Sequence, residues 1–123
     1  MNDQEKRELM MDFERNRQML GNVSAQKQQY QIQIEVIKAS LEELTTTKEK
    51  TVMKIIGNIL VNKSVTEMKK ELEEQNESFE LRLKTLVRQE ETIIKKLNSI
   101  KAQVEGKIET KEDSQKETKK SRK

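Results

Sequence analysis

The side chains that most often carry enzyme chemistry are scarce in this sequence. It contains no histidine and no cysteine, so it lacks the commonest general base and the soft thiolate metal ligand. The adjacent carboxylates Glu42-Glu43 and Glu90-Glu91 lie in charged runs of helical periodicity, where solvent-exposed carboxylates are expected. No glycine-rich phosphate-binding loop is present. We therefore expect no catalytic residue, no metal site and no cofactor.

The composition favours long helices over a compact globular domain. Of the 123 residues, 32% are hydrophobic and 38% are charged, whereas a compact domain has about 45–50% apolar residues. Proline is absent and there are only three glycines, so few residues interrupt a helix. The N-terminal residues lack the apolar stretch of a secretory signal, and no run approaches the ~18 apolar residues of a membrane span. We expect a soluble cytoplasmic protein.

Residues from about 2 to 46 have the heptad periodicity of a coiled-coil helix. Asn2, with Glu5 three residues later, matches a capping box at the helix start. Nine of the eleven predicted core positions are apolar, and together they form the α1 seam: Leu9, Phe13, Asn16, Leu20, Val23, Lys27, Tyr30, Ile34, Ile37, Leu41 and Leu44.

A second helix is predicted over about 64–105. The segment Ser64-Val65-Thr66-Glu67 matches a capping box, and Gly106 suits the helix end. The similar lengths of the two helices favour an antiparallel coiled-coil hairpin within one chain. Nine of the twelve positions of its α2 seam are apolar: Val65, Lys69, Leu72, Asn76, Phe79, Leu83, Leu86, Glu90, Ile93, Leu97, Ile100 and Val104.

The segment between the helices, about 51–63, is the most apolar part of the chain. Gly57-Asn58 suits a two-residue hairpin turn of type II′ or I′. A lone two-stranded hairpin is marginal in water, so we expect it to pair with other chains; the alternative is a hairpin that packs on its own helices. The residues expected to mediate subunit assembly are Val52, Met53, Ile55, Ile56, Gly57, Asn58, Ile59, Leu60 and Val61.

Two segments resemble the β-type subunits of prefoldin: MKIIGNILV at 53–61 and ELRLKTLVRQE at 80–90. Phe13, Arg17-Gln18 and the segment 64–67 are also similar to the eukaryotic subunit 2, and the resemblance leaves archaeal β and eukaryotic subunits 2 or 6 open. Met53 stands where the family usually has tyrosine.

This resemblance implies a hetero-hexamer with α-type and β-type subunits, in which the hairpins form an intersubunit β-barrel. It also implies an ATP-independent holdase that captures unfolded proteins at the coiled-coil tips and delivers them to a group II chaperonin. If the protein is eukaryotic, its clients would include actin and tubulin.

Within that framework, the helix ends far from the hairpin are the candidate client site. Flexible, polarizable methionine suits apolar clients of varied shape. The alternative is that many of these residues are ordinary coiled-coil core, above all those in the seams. The predicted client-binding residues are Leu9, Met10, Met11, Phe13, Met19, Leu20, Ile94, Leu97, Ile100, Val104 and Ile108.

We expect one prefoldin β-type domain over residues 1–106 and a charged tail over 107–123. The tail has seven basic and four acidic residues, so it accounts for the whole formal charge of +3. Because acids interrupt the basic residues and aromatic residues are absent, a disordered tail is favoured over binding of nucleic acid or of an acidic partner surface. The rival hypothesis for the chain is a coiled-coil adaptor or tether, which would not explain the apolar hairpin.

Overall fold

The computed structural model describes residues 2–106, in which two long helices flank a β-hairpin. The elements are α1 (Asp3–Thr46), β1 (Thr51–Ile56), β2 (Ile59–Ser64) and α2 (Val65–Val104). The two strands form one antiparallel sheet and close no barrel within these residues. The predicted fold class is thereby confirmed. The charged tail predicted over 107–123 lies outside the described residues.

Both helices begin with the capping interactions that the sequence predicts. At α1, Asn2 Oδ1 accepts a hydrogen bond from the Glu5 amide over 2.8 Å, and Glu5 Oε1 accepts from the Asn2 amide over 3.0 Å. At α2, Ser64 Oγ accepts from the Glu67 amide over 3.0 Å. These bonds satisfy amide groups that a helix start otherwise leaves without partners. At the other end of α2, Gly106 has a φ of 72°, as expected of a helix-terminating glycine.

The buried side chains follow the two predicted seams. Every position of the α1 seam and of the α2 seam is buried or half-buried. The most protected apolar side chains are 5–8% exposed, and they are Ile34, Ile37, Leu86, Ile93 and Ile100. The heptad assignment is therefore confirmed at the level of side-chain burial.

The chain divides into two compact units. The terminal unit contains the described parts of Met1–Val23 and Gln89–Lys123, and the central unit is Ser24–Arg88, which includes the hairpin. In the central unit, Arg82 Nη1 donates to the Tyr30 hydroxyl over 3.0 Å. Further along α1, Ile37 lines the same groove as Gln75 and Phe79. Within this unit the two helices therefore run antiparallel.

The hairpin has a continuous register with a two-residue turn. Ile56 pairs with Ile59, Ile55 with Leu60, and the pairing continues to Thr51 and Ser64. Gly57 has a φ of 58°, whereas no non-glycine residue among those described has a positive φ. A positive φ at the first turn residue alone is the signature of type II′. The structure thus selects type II′ from the two turn types that the sequence allowed.

Candidate assembly and client-binding surfaces

The hairpin has two faces of different character. Directly paired residues of antiparallel strands place their side chains on the same face, and successive residues alternate between faces. We call the set Val52, Lys54, Ile56, Ile59, Val61 and Lys63 the inner face, and the set Thr51, Met53, Ile55, Leu60, Asn62 and Ser64 the outer face.

The outer face exposes large apolar side chains. Met53 is 56% exposed, Ile55 is 73% exposed and Leu60 is 60% exposed. Beside the turn, Ile56 and Ile59 of the inner face are also exposed. Contiguous exposed apolar residues of this size mark an interaction surface in a folded protein.

The strand edges add hydrogen-bonding capacity to that surface. In a two-stranded sheet, each strand has one edge without a strand partner among residues 2–106, and such edges are templates for pairing with another chain. At the base of the hairpin, the Val65 amide donates to the Lys50 carbonyl over 2.9 Å. This hydrogen bond closes the base of the hairpin, whereas the outer edges of β1 and β2 have no strand partner among residues 2–106. Of the predicted assembly residues, Val52 and Val61 are half-buried on the inner face, and Gly57 and Asn58 form the turn.

The inner face is attached to α2 by a carboxylate shared between two lysines. Lys54 Nζ of β1 lies 2.8 Å from Glu71 Oε1, and Lys63 Nζ of β2 lies 2.6 Å from Glu71 Oε2. The three side chains are only 26–37% exposed. The sequence analysis missed this Lys54–Glu71–Lys63 bridge; the available signal was that both lysines occupy the same face of the predicted hairpin.

The bridge shifts the pKa of Glu71 and the pKa of Lys63. Hydrogen bonds from Lys54 and Lys63 hold the pKa of the Glu71 carboxyl at about 2, below its ordinary value of 4.5. The hydrogen bond to Glu71, reinforced by its negative charge, raises the pKa of Lys63. Each shift favours the charged form of its group, so Glu71 and Lys63 are both charged throughout the physiological pH range.

In the terminal unit, the predicted client-binding residues divide by their position relative to the seams. Four residues outside the seams are exposed: Met10 (54%), Met11 (62%), Met19 (45%) and Ile94 (42%). Leu9, Phe13, Leu20, Leu97 and Val104 are half-buried seam residues, and Ile100 is buried at 6% exposure. Ile108 lies outside the described residues. The exposed group is therefore mainly methionine.

Two members of this set line an open groove of about 630 Å³ in the terminal unit. Leu9 and Met11 contribute its apolar part, and Gln103 of α2 lines its other side. The remaining lining residues are polar: Glu5, Glu8, Asp12 and Arg15. A wide groove with both apolar and charged walls suits loose contact with a varied peptide chain more than it suits a small ligand.

Two coiled-coil helices with an antiparallel β-hairpin of exposed apolar side chains between them define the fold class of this chain. A family model described as "Prefoldin subunit" matches residues 7–111, and the chain belongs to that family. The membership confirms the resemblance drawn from residues 53–61 and 80–90. It also places the chain in a family of cochaperone subunits and not in an enzyme family.

Individual relatives agree with this assignment and point to the β type. The chain is 37% identical to prefoldin subunit beta of Archaeoglobus fulgidus over 86 residues, covering 69% of this chain and 74% of the relative. It is 32% identical to that of Thermococcus onnurineus over 98 residues, covering 79% and 84%. The crystal structure of the prefoldin beta subunit from Thermococcus strain KS-1 matches with a TM-score of 0.77 and 28% identity, covering 86% of this chain and 94% of that one. Among residues 2–106, neither helix has a stretch long and apolar enough to cross a membrane.

Proposed function

We propose that this chain is a subunit of a hexameric prefoldin that assembles with α-type and β-type subunits in the cytoplasm. The observation that carries the proposal is the outer face of the hairpin, where Met53, Ile55 and Leu60 are each more than half exposed. Burial of one such side chain contributes about 1.5–3 kcal/mol. Strand pairing with neighbouring hairpins into a β-barrel would cover these residues and satisfy both free strand edges.

The assembled protein would act as an ATP-independent holdase. Exposed methionines at positions 10, 11 and 19 support client capture at the helix ends, because methionine adapts its shape to different apolar partners. Many weak contacts would hold an unfolded chain, and competition from a docked group II chaperonin would release it. Actin and tubulin would be among the clients of a eukaryotic complex.

Native mass spectrometry of the full chain mixed with α-type prefoldin subunits tests the assembly step. We expect a six-chain species with the unaltered chain. Ile55→Lys and Leu60→Lys should abolish or strongly reduce it, because each places a charge on a face that assembly would bury. Leu81→Lys is the matched control, since Leu81 is 62% exposed on α2 and lies outside the hairpin.

The outcomes of this experiment are distinct. A hexamer that forms equally well with Ile55→Lys and Leu60→Lys would show that the outer face is not the assembly surface. A chain that stays monomeric or forms only a parallel dimer with every prefoldin partner offered would favour the coiled-coil adaptor hypothesis.

A further inference from the structure

Apart from the Ser64 cap at the start of α2, the described side-chain bonds between the hairpin and α2 lie on the inner face. On that inner face, Val52 and Val61 are half-buried, and the two lysines bond to Glu71 of α2. A two-stranded hairpin is marginally stable by itself in water. We therefore expect these inner-face contacts to stabilise the hairpin and to determine its position on α2.

Glu71 differs from the other inner-face contacts because its two carboxylate oxygens accept hydrogen bonds from different strands. Oε1 accepts from Lys54 in β1, and Oε2 accepts from Lys63 in β2. Lys54 pairs directly with Val61, and Lys63 pairs directly with Val52, so the two lysines are diagonal neighbours across the sheet. One carboxylate thus ties both strands to each other and to α2.

The geometry also determines which side of the hairpin is available to a partner. Side chains alternate between faces along a strand, so contact of Lys54 and Lys63 with α2 directs Met53, Ile55 and Leu60 to the opposite side. That opposite side is the exposed outer face. Without the bridge, the hairpin would be free to tilt or roll on α2 and to cover part of its apolar surface.

We propose that Glu71 is a positioning residue for subunit assembly: it holds the hairpin against α2 so that the outer apolar face is presented to neighbouring chains. The role of Glu71 in holding the hairpin stands on the contacts of this chain alone. Its effect on assembly rests on the proposed function.

Hydrogen exchange of the full chain tests the first part. Glu71→Gln keeps the side-chain shape and removes the charge, and Glu74→Gln removes the same charge from an exposed position one turn further along α2. We expect Glu71→Gln to accelerate amide exchange in residues 51–64 by about three- to tenfold, as for the loss of two partly exposed ion pairs. Glu74→Gln should leave these amides unchanged. Equal exchange in the two variants would overturn the proposal.

Salt dependence separates an electrostatic attachment from simple packing. Raising NaCl from about 0.05 to about 1 M should accelerate hairpin exchange in the unaltered chain, because salt screens partly exposed ion pairs. The Glu71→Gln variant should respond much less. In the double variant Lys54→Met/Lys63→Met, adding Glu71→Gln should have no further effect, since the bridge is already absent. An additive effect would contradict the proposed bridge mechanism.

The assembly step is measured by titrating each variant against α-type prefoldin subunits and recording the six-chain species. We expect Glu71→Gln to raise the subunit concentration for half-assembly by about three- to tenfold, with Glu74→Gln matching the unaltered chain. Normal assembly of Glu71→Gln would overturn the positioning role. Failure of the unaltered chain to assemble would instead contradict the proposed function, while the exchange data would still decide whether Glu71 holds the hairpin.

Discussion

Tyr30 of α1 meets Phe79 of α2 edge to face, with ring centroids 5.3 Å apart and ring planes at 67°. The sequence contains only three aromatic residues, so two of them are used in this one contact. Both are half-buried seam positions. Edge-to-face aromatic pairs contribute about 0.5–1.5 kcal/mol beyond the burial of their area. This pair is therefore a principal packing contact between the helices of the central unit.

We expect Phe79→Ala to lower the free energy of unfolding by about 2–3 kcal/mol, at or below the lower limit of the about 3–5 kcal/mol usual for a phenylalanine truncation, because the ring is only half-buried. Urea unfolding followed by circular dichroism measures this loss. Tyr30→Phe keeps the ring contact and removes only the exposed hydrogen bond from Arg82, so it should cost under about 1 kcal/mol. Equal losses in the two variants would show that the ring contact contributes little.

Asn76 is a polar seam residue whose Oδ1 is buried without a hydrogen-bond partner among the described residues. A buried acceptor without a partner costs about 1–3 kcal/mol. We expect Asn76→Leu to raise the free energy of unfolding by about 1 kcal/mol and to increase the melting temperature. The matched substitution Asn98→Leu, at an exposed position of the same helix, should change stability little. A destabilised Asn76→Leu variant would mean that the asparagine is better accommodated than its geometry indicates.

Gly57 and Gly21 should respond in opposite directions to the same substitution. An added Cβ would meet no atom within 4 Å at either position, so the difference comes from the backbone. Gly57 has a φ of 58°, which alanine adopts at a cost of about 1–2 kcal/mol. Gly21 lies within α1, where alanine is favoured by about 1 kcal/mol. We therefore expect Gly57→Ala to accelerate hairpin hydrogen exchange and Gly21→Ala to raise the melting temperature; the same sign for both would contradict this explanation.

The exposed methionines of the terminal unit should affect client holding without affecting the fold. We expect the triple variant Met10→Gln, Met11→Gln and Met19→Gln to retain its helicity and its assembly, since these side chains are 45–62% exposed. Its suppression of aggregation of a chemically unfolded test protein should fall severalfold, because an adaptable apolar surface is lost. Ile32→Gln with Val36→Gln, two exposed apolar positions of the central unit, is the control. If the control variant loses as much of its suppression of aggregation, the exposed methionines are not a specific client-binding surface.

The Lys54–Glu71–Lys63 bridge predicts an acid-sensitive hairpin. The pKa of Glu71 is lowered from 4.5 to about 2 in the folded chain. A lowered carboxyl pKa means that the stabilisation is complete above about pH 4.5 and is lost as the pH falls through about 2. NMR titration of the Glu71 side-chain carboxyl should therefore give an apparent pKa near the folded value.

The difference in the free energy of unfolding between the unaltered chain and Glu71→Gln should also shrink as the pH falls from 4.5 to about 2. At the alkaline end, the pKa of Lys63 is raised above 10.5, so its contribution is lost only as the pH rises through that higher value. A Glu71 carboxyl that titrates near 4.5 would show that the bridge does not persist in solution.

Much of the fold follows from local patterns in the sequence. The heptads around Ile34 and Ile93 placed both helices and identified side chains that the structure buries to 5% exposure. The capping residues Asn2 and Ser64 marked the helix starts, and Gly57-Asn58 marked the turn. These features are readable because they depend on residues a few positions apart, whose spacing secondary structure makes regular.

The polar seam residues show where such patterns stop being informative. Asn16 and Asn76 are both polar residues of the predicted seams, one in each helix. Asn16 is buried to 4% exposure, and its side chain donates to the Asp12 carbonyl over 2.8 Å. Asn76 instead leaves Oδ1 buried without a partner among residues 2–106. Membership of a seam does not by itself predict this difference, because the hydrogen bonding of each side chain depends on its rotamer and on the neighbouring side chains.

What the sequence by itself determined is the order of elements, the buried seams and the apolar hairpin, all of which depend on short-range periodicity. Only the tertiary structure decided which hairpin face meets α2 and which stays exposed. Glu71 lies 17 residues from Lys54 and 8 from Lys63, and no spacing rule connects a strand to the helix that follows it. That contact depends on how the hairpin is oriented on α2, which is settled by packing in three dimensions.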